Sequence, residues 1–237
     1  MATARAVLES LLRERQLDVT LTTARPWMAE PEDRVAATGI SAIDGPLGGG
    51  LRRGHLSEIV GPQSSGRTTV LCQALAGATA RGEVVALIDT SDRFDPATAA
   101  DAGVDLSRVL WVRERGDATR ALKATNLVLQ AGGFGLVAFD LADPPSPLRG
   151  FGAAGSIRQF PTTTWMRISR VVEGSQTAVV LLGADHIFRS AGGATIALEA
   201  SGAVRGTWHG ENDRSRFLRS LDVEPRVISA SARRSIG

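Results

Sequence analysis

Residues 61–69 read GPQSSGRTT: a glycine, four residues, a second glycine, a basic residue and two hydroxyls. That spacing lets the main chain curl so that successive N–H groups point inward at an anion, and a following helix adds the partial positive charge of its N-terminus. The chemistry is phosphate binding. Gly61, Ser65, Gly66, Arg67, Thr68 and Thr69 are the candidate contacts, with the Thr68 hydroxyl placed for Mg²⁺ and Asp140, ending the apolar run LVAFD, as the supporting carboxylate. Arg67 stands where a lysine would reach between the β- and γ-phosphates. A guanidinium is longer, planar and seeks bidentate partners. Arg67 is therefore expected to lie across the pocket, pair with Asp140 or Asp89, and obstruct the γ-phosphate position. A conservative exchange with weakened ATP binding is the competing reading.

Other residues offer less chemistry. His55, His186 and His209 lack metal-ligand spacing and no cysteine cluster joins them, so no zinc or other metal centre is expected. Cys72 is the single cysteine, which excludes an internal disulfide, suits a reducing compartment and fits a buried helix face. Asp185 and His186 follow a strand, where an ordinary loop outweighs a ligand-facing one. Trp165, Ile168 and Val172 share a helix face and read as core. Trp27, beside Met28, has little core to join and is a better candidate for partner contact.

The elements that must position the loop follow from hydrophobic pattern. HLSEIV before the loop, EVVALID at 83–89, RVLWVR at 108–113, LVAFD at 136–140 and TAVVLLG at 177–183 are short apolar runs, read as strands covered on both faces. Helical stretches at 67–81, 96–102, 117–131 with Asp117 as N-cap, and 161–173 opened by Pro161 separate them. This alternation predicts an α/β fold, a mostly parallel sheet flanked by helices. After residue 192 the pattern predicts antiparallel strands extending one end of the sheet. Residues 3–16 place Val7, Leu8, Leu11 and Leu12 on one stripe of an amphipathic helix, a surface for a partner or for the chain's own core. Pro26 and Pro31 then break the pattern, which divides the chain into a helix and linker at 1–35 and a core at 36–237. Residues 143–161, rich in Gly, Pro and Ser, read as a loop.

With 43% hydrophobic and 22% charged residues, the chain has the balance of a globular protein rather than a disordered one. No apolar run spans a bilayer and no signal-peptide core opens the sequence, so a cytoplasmic protein is expected. Lys123 is the only lysine among 27 basic residues. Arginines grouped near 205–234 suit nucleic acid phosphates or a solvated surface.

The blocks ATGISAIDGPLGGGLRRGHLSEIVGPQSSGRTTVLCQALAGA, ALIDTSDRFDPATAADAGVD and LVAFDLAD, in this order and with these gaps, resemble the core of the bacterial recombinase RecA. GGATIALEASGAVR resembles a further segment of that family, so the likeness runs from about 37 to 206. It implies a RecA-like phosphate-loop core, with Asp95 facing a base amino group and the 143–161 loop, carrying Arg149 and Arg158, corresponding to a DNA-binding loop. Departures from the family follow the same alignment. Ser91 replaces the glutamate that activates water, Thr98 the adenine-stacking tyrosine, and Ala184 the γ-phosphate-sensing glutamine. Lysines that complete the site across a subunit interface have no counterpart, the loop DHIFRSAGG is shortened, and nothing after the core matches the C-terminal DNA-gating domain. Together these imply dismantled catalysis, since losing a general base costs about 10²-fold or more in rate. No cofactor is then required, although weak binding of ATP or ADP with Mg²⁺ fits the cradle.

A short, degenerate core of this kind is similar to the ImuA accessory proteins of bacterial mutagenic repair, on FPTTTWMRISRVVEGSQTAVVLL and the arginine-rich RVISASARRS. That resemblance implies an adaptor in SOS translesion mutagenesis. Its partners would be RecA, an ImuB-type polymerase-like protein, an error-prone replicative polymerase and single-stranded or duplex DNA, with self-association through the N-terminal helix. An active DNA-dependent ATPase of recombinational repair and a SulA-type cell-division inhibitor are the alternatives.

Overall fold

The computed structural model describes residues 34–141, 160–198, 205–209, 217–222 and 225–229. The chain divides into two units, Met1–Pro31 and Glu32–Gly237. The candidate partner residues Val7, Leu8, Leu11, Leu12 and Trp27, and the candidate DNA contacts Arg149 and Arg158, lie outside the described residues.

In chain order the elements are β1 (Val35–Ala36), α1 (Ser41–Leu47), β2 (Leu51–Arg52), β3 (Leu56–Val60), α2 (Arg67–Ala80), β4 (Val85–Asp89) and α3 (Pro96–Asp101). Then come β5 (Val109–Arg113), α4 (Ala118–Ala131), β6 (Leu136–Asp140), α5 (Thr162–Val172), β7 (Ala178–Gly183), β8 (Thr195–Leu198), β9 (Arg205–His209), β10 (Phe217–Asp222) and β11 (Pro225–Ser229). Seven strands form the main sheet in the order β11-β8-β3-β7-β6-β4-β5. All neighbours are parallel except β11, which runs antiparallel to β8. The fold is α/β, a mostly parallel sheet between helices.

The apolar runs form strands because consecutive residues serve opposite faces. Leu87, Ala138, Val180 and Leu182 pack with Val70, Leu71 and Leu75 of α2, and Ile43 of α1 joins that cluster. Their neighbours in sequence, Ile88, Phe139, Val179 and Leu181, pack with Ala121 and Val128 of α4 and Trp165, Ile168 and Val172 of α5. Trp165 is core, 2% exposed, with its ring 6.2 Å from Phe139 and 6.0 Å from Phe160. Cys72 is buried on α2, and that burial, with the charge of Asp95 second, pushes its thiol pKa up, which leaves it a core residue.

Caps set the helix ends. Asp117 accepts from the Arg120 N–H at 2.9 Å and opens α4, while Pro161 stands just before α5. Thr38 and Gly39 donate backbone N–H groups to the Asp44 carboxylate, at 2.9 Å for each shorter contact, and the Thr38 hydroxyl donates at 2.8 Å. This clasp accounts for α1, a short helix that contains Gly45 and Pro46 and that the hydrophobic pattern does not predict.

The antiparallel strands expected after residue 192 are present, β11 running antiparallel to β8 at one end of the main sheet, but three details differ. β8 itself runs parallel to β3. The chain leaving β7 returns to the start of β3, where the Leu56 N–H donates to Ser190 Oγ at 3.1 Å, and so re-enters the sheet in the same direction. β9 and β10 do pair antiparallel, but as a separate two-stranded sheet. The run RVLWVR forms the edge strand β5, where Leu110 is 43% exposed, so it is not covered on both faces. Among the described residues no helix is long and apolar enough to cross a membrane.

Candidate functional site

The sheet places the carboxyl ends of β3, β4, β6 and β7 together, and the turn from β3 into α2 lies over them. Ser64 and Gly66 adopt left-handed backbone, φ 63° and 92°. Gly66 caps α2 without any side-chain hydrogen bond, and the first helical bond runs from the Val70 N–H to the Gly66 carbonyl at 3.0 Å. The N–H groups of residues 66–69 accordingly have no acceptor among the described residues and remain available to an anion. Gly61 has a separate reason to be glycine. A Cβ there would lie 2.5 Å from the Leu198 carbonyl oxygen and 2.6 Å from Ser65 Oγ. Ser65 itself is buried against this contact, its hydroxyl without a partner, in the wall of the cradle rather than in its opening.

Beside the loop lies a cavity of about 360 Å³. Arg67, Thr68 and Thr69 line it from α2, Leu71, Leu87 and Leu182 form an apolar floor, and Asp140 borders it from the end of β6. Among the described residues Asp140 is the only carboxylate on that wall. Thr68 is exposed toward it, so a hydroxyl and a carboxylate are present together, a donor set that fits a hydrated Mg²⁺ shared with phosphate oxygens. No group of three or more His, Cys, Asp or Glu gathers as metal ligands among the described residues.

The expected pairing of Arg67 is not formed. Its Nη1 is buried without a hydrogen-bond partner, and no ion pair joins it to Asp140 or Asp89. Asp89 is already occupied. Its carboxylate, 1% exposed, accepts from the Arg93 N–H at 3.1 Å, the Phe94 N–H at 2.9 Å and the Trp111 indole at 3.2 Å. Arg67 thus borders an open cavity as an unneutralised cation, and the obstruction expected from an internal ion pair has no such pair behind it.

Asp95 does not line the cavity. It caps α3, accepting from the Ala97 and Thr98 N–H groups at 3.3 and 3.2 Å and from the Thr98 hydroxyl at 2.5 Å. The Thr98 hydroxyl bond, foremost among these, holds the Asp95 carboxyl below its usual range. Ser91 sits in the turn after β4, and the carboxylate next to it, Asp92, is held bidentately by Arg113 at 2.5 and 2.8 Å. That hydrogen bonding lowers the pKa of Asp92 and makes it a poor proton acceptor.

Two residues that the sequence did not single out belong to the site. Arg93 and Phe94 both line the cavity. The signal for them was brevity: the turn between Asp89 and Asp95 is too short to leave the strand end. Ala184, by contrast, borders a second cavity of about 470 Å³ with Asp185, His186 and Arg189, on the β8 side of the loop. His186 and the Ile187 and Phe188 N–H groups converge there on Glu58, which is fully buried in β3 and also accepts from Thr195 Oγ1 at 2.6 Å.

A glycine cradle opening a helix at the carboxyl ends of a parallel sheet defines a phosphate-loop protein of the α/β class. Residues 28–147 match the family described as RecA N-terminal domain, and the chain belongs to the RecA family. Over 108 residues it is 38% identical to Protein RecA of Chlorobaculum tepidum, and over 107 residues 40% identical to Protein RecA of Mycobacterium ulcerans, 45% of this chain in each case. Against Protein RecA of Mycobacterium bovis it is 41% identical over 107 residues. The chain spans 31% of the first two relatives and 13% of the third.

Proposed function

We propose that this protein is a non-catalytic, RecA-derived adaptor of damage-induced translesion mutagenesis, with a phosphate site that binds without efficient turnover. The observation that carries the reading is the contrast within one turn of structure. The cradle of free N–H groups is kept, while Arg67 replaces the lysine and the turn after β4 offers Ser91 and an Arg-bound Asp92 in place of a general base. Thr68 and Asp140 would hold Mg²⁺, which supplies charge neutralisation to a bound nucleotide. The chain's own groups then bind and orient the phosphates, and in this reading Asp140, the one carboxylate among the described residues on the cavity wall, serves the ion rather than a water. Partners in this reading are RecA, an ImuB-type polymerase-like protein, an error-prone replicative polymerase and DNA. The resemblance described above supports that assignment, with Val7, Leu8, Leu11, Leu12 and Trp27 offered to protein and Arg149 and Arg158 to DNA.

The test joins two assays on the full chain. Phosphate release from ATP, with and without single-stranded DNA, is expected at background. Capture from cells carrying the mutagenesis operon is expected to recover RecA and polymerase components. Vigorous DNA-stimulated hydrolysis would establish the ATPase instead, and recovery of division proteins alone would establish the inhibitor.

A further inference from the structure

The phosphate cavity contains a second cation that neither the motif nor the family resemblance supplies. The backbone of the 91–95 turn is fixed from within the core. Asp89 accepts the N–H groups of Arg93 and Phe94, its other contact is the Trp111 indole, and the Phe94 ring stands edge-on to Trp111 at 5.4 Å. This anchoring sets Arg93 at the wall of the same cavity that the start of α2 lines, while its side chain remains exposed. The Arg93 guanidinium makes no hydrogen bond or ion pair among the described residues, unlike Arg113 at the end of the neighbouring strand β5, which Asp92 and the Trp111 ring hold. Arg67, with Nη1 buried and unpartnered, faces the same space. Among the described residues the wall therefore carries two guanidiniums and the N–H groups of 66–69 against one carboxylate, Asp140.

We propose that Arg93 is the second phosphate-binding cation of this cavity, acting with Arg67 so that a nucleoside polyphosphate is held without needing a divalent ion. The inference rests on the reading of the cavity as a retained phosphate site. Guanidinium groups suit this role because they stay charged, hydrogen-bond phosphate oxygens in pairs and stand in for the metal's charge. In the proposed reading of a site without efficient turnover, the bound polyphosphate is a resident ligand rather than a substrate in transit.

The experiment titrates fluorescently labelled ADP and inorganic tripolyphosphate into the full chain, in EDTA and again in Mg²⁺. Wild-type protein is expected to bind both in EDTA. Arg93→Ala should weaken both by about tenfold, the usual worth of a charge-assisted phosphate contact, while Arg93→Lys stays within about threefold of wild type. Arg115→Ala, an exposed arginine outside the cavity, should leave binding unchanged, and thermal melting should be the same for all variants. Unaltered binding by Arg93→Ala, or wild-type binding that vanishes in EDTA, would overturn the proposal. Wild-type protein that binds neither probe in either buffer would overturn the retained phosphate site as well. Loss of partner capture with binding intact would instead remove only the adaptor reading.

Discussion

At the scale of single residues, the proposed separation of binding from turnover rests on Arg67 and Ser91. If the missing base limits chemistry, Arg67→Lys alone should leave phosphate release at background. Adding Ser91→Glu should then raise it by about 10²-fold, the contribution expected of a positioned general base. Release assays on the two variants check this, and turnover by Arg67→Lys alone would show that the lysine was the missing part. Gly61 makes a different prediction. A methyl group there meets a backbone oxygen at 2.5 Å, which cannot move without β8. Gly61→Ala should therefore lower both nucleotide binding and the unfolding midpoint, with a cost of about 1–3 kcal/mol typical of overpacking. The loop was legible because its glycines and hydroxyls have fixed spacing. The fate of Arg67 was not, since its expected partner Asp89 is claimed by a turn and an indole that come from other parts of the sequence.

At the scale of elements, the blocks shared with the RecA family are largely devices of local structure. Asp44 clasps Thr38 and Gly39, Asp95 caps α3, and Asp105 accepts from the Ser107 N–H and hydroxyl at the turn into β5. This is why the order of elements could be read without coordinates. Short apolar runs gave the strands β3 to β7, Asp117 gave the start of α4 and Pro161 that of α5. The direction of β8 was hidden because it depends on residues 184–194 retracing the sheet, a path with no local pattern. Glu58 is the element-scale link along that path, since its four donors all come from residues 186–195. Glu58→Ala should strand the Thr195 hydroxyl and the Ile187 and Phe188 N–H groups, while the exposed His186 turns to water, and cost about 3 kcal/mol; Glu58→Gln, which keeps an acceptor oxygen, should cost less. Urea unfolding of the two variants checks the ranking, and equal costs would mean that packing rather than hydrogen bonding holds the segment.

At the scale of the whole molecule, the two ends of the sheet do different work. The carboxyl ends hold the cavity. At the amino ends, Arg53 donates to Glu83 at 2.5 Å and to the Gly135 and Gln176 carbonyls at 3.1 and 2.9 Å, and Arg81 donates to Glu83 at 3.0 Å. This cluster joins the approaches to β3, β4, β6 and β7. Burial pushes the Glu83 carboxyl pKa up, but the hydrogen bonds and charges of Arg81 and Arg53 together outweigh it, so the folded value lies below the usual one. A depressed carboxyl stabilises the fold above its unfolded pKa, roughly 4.3, and that contribution disappears as pH falls through the folded value. Denaturation midpoints measured between about pH 7 and pH 3 should therefore show Glu83→Gln less stable than wild type at the neutral end, with the two converging in acid. Because the cluster is at the end of the sheet away from the cavity, nucleotide affinity at neutral pH should be the same in both. A constant stability gap across the range would mean that Glu83 contributes by shape alone, and a loss of affinity in the folded variant would mean that the two ends of the sheet are coupled.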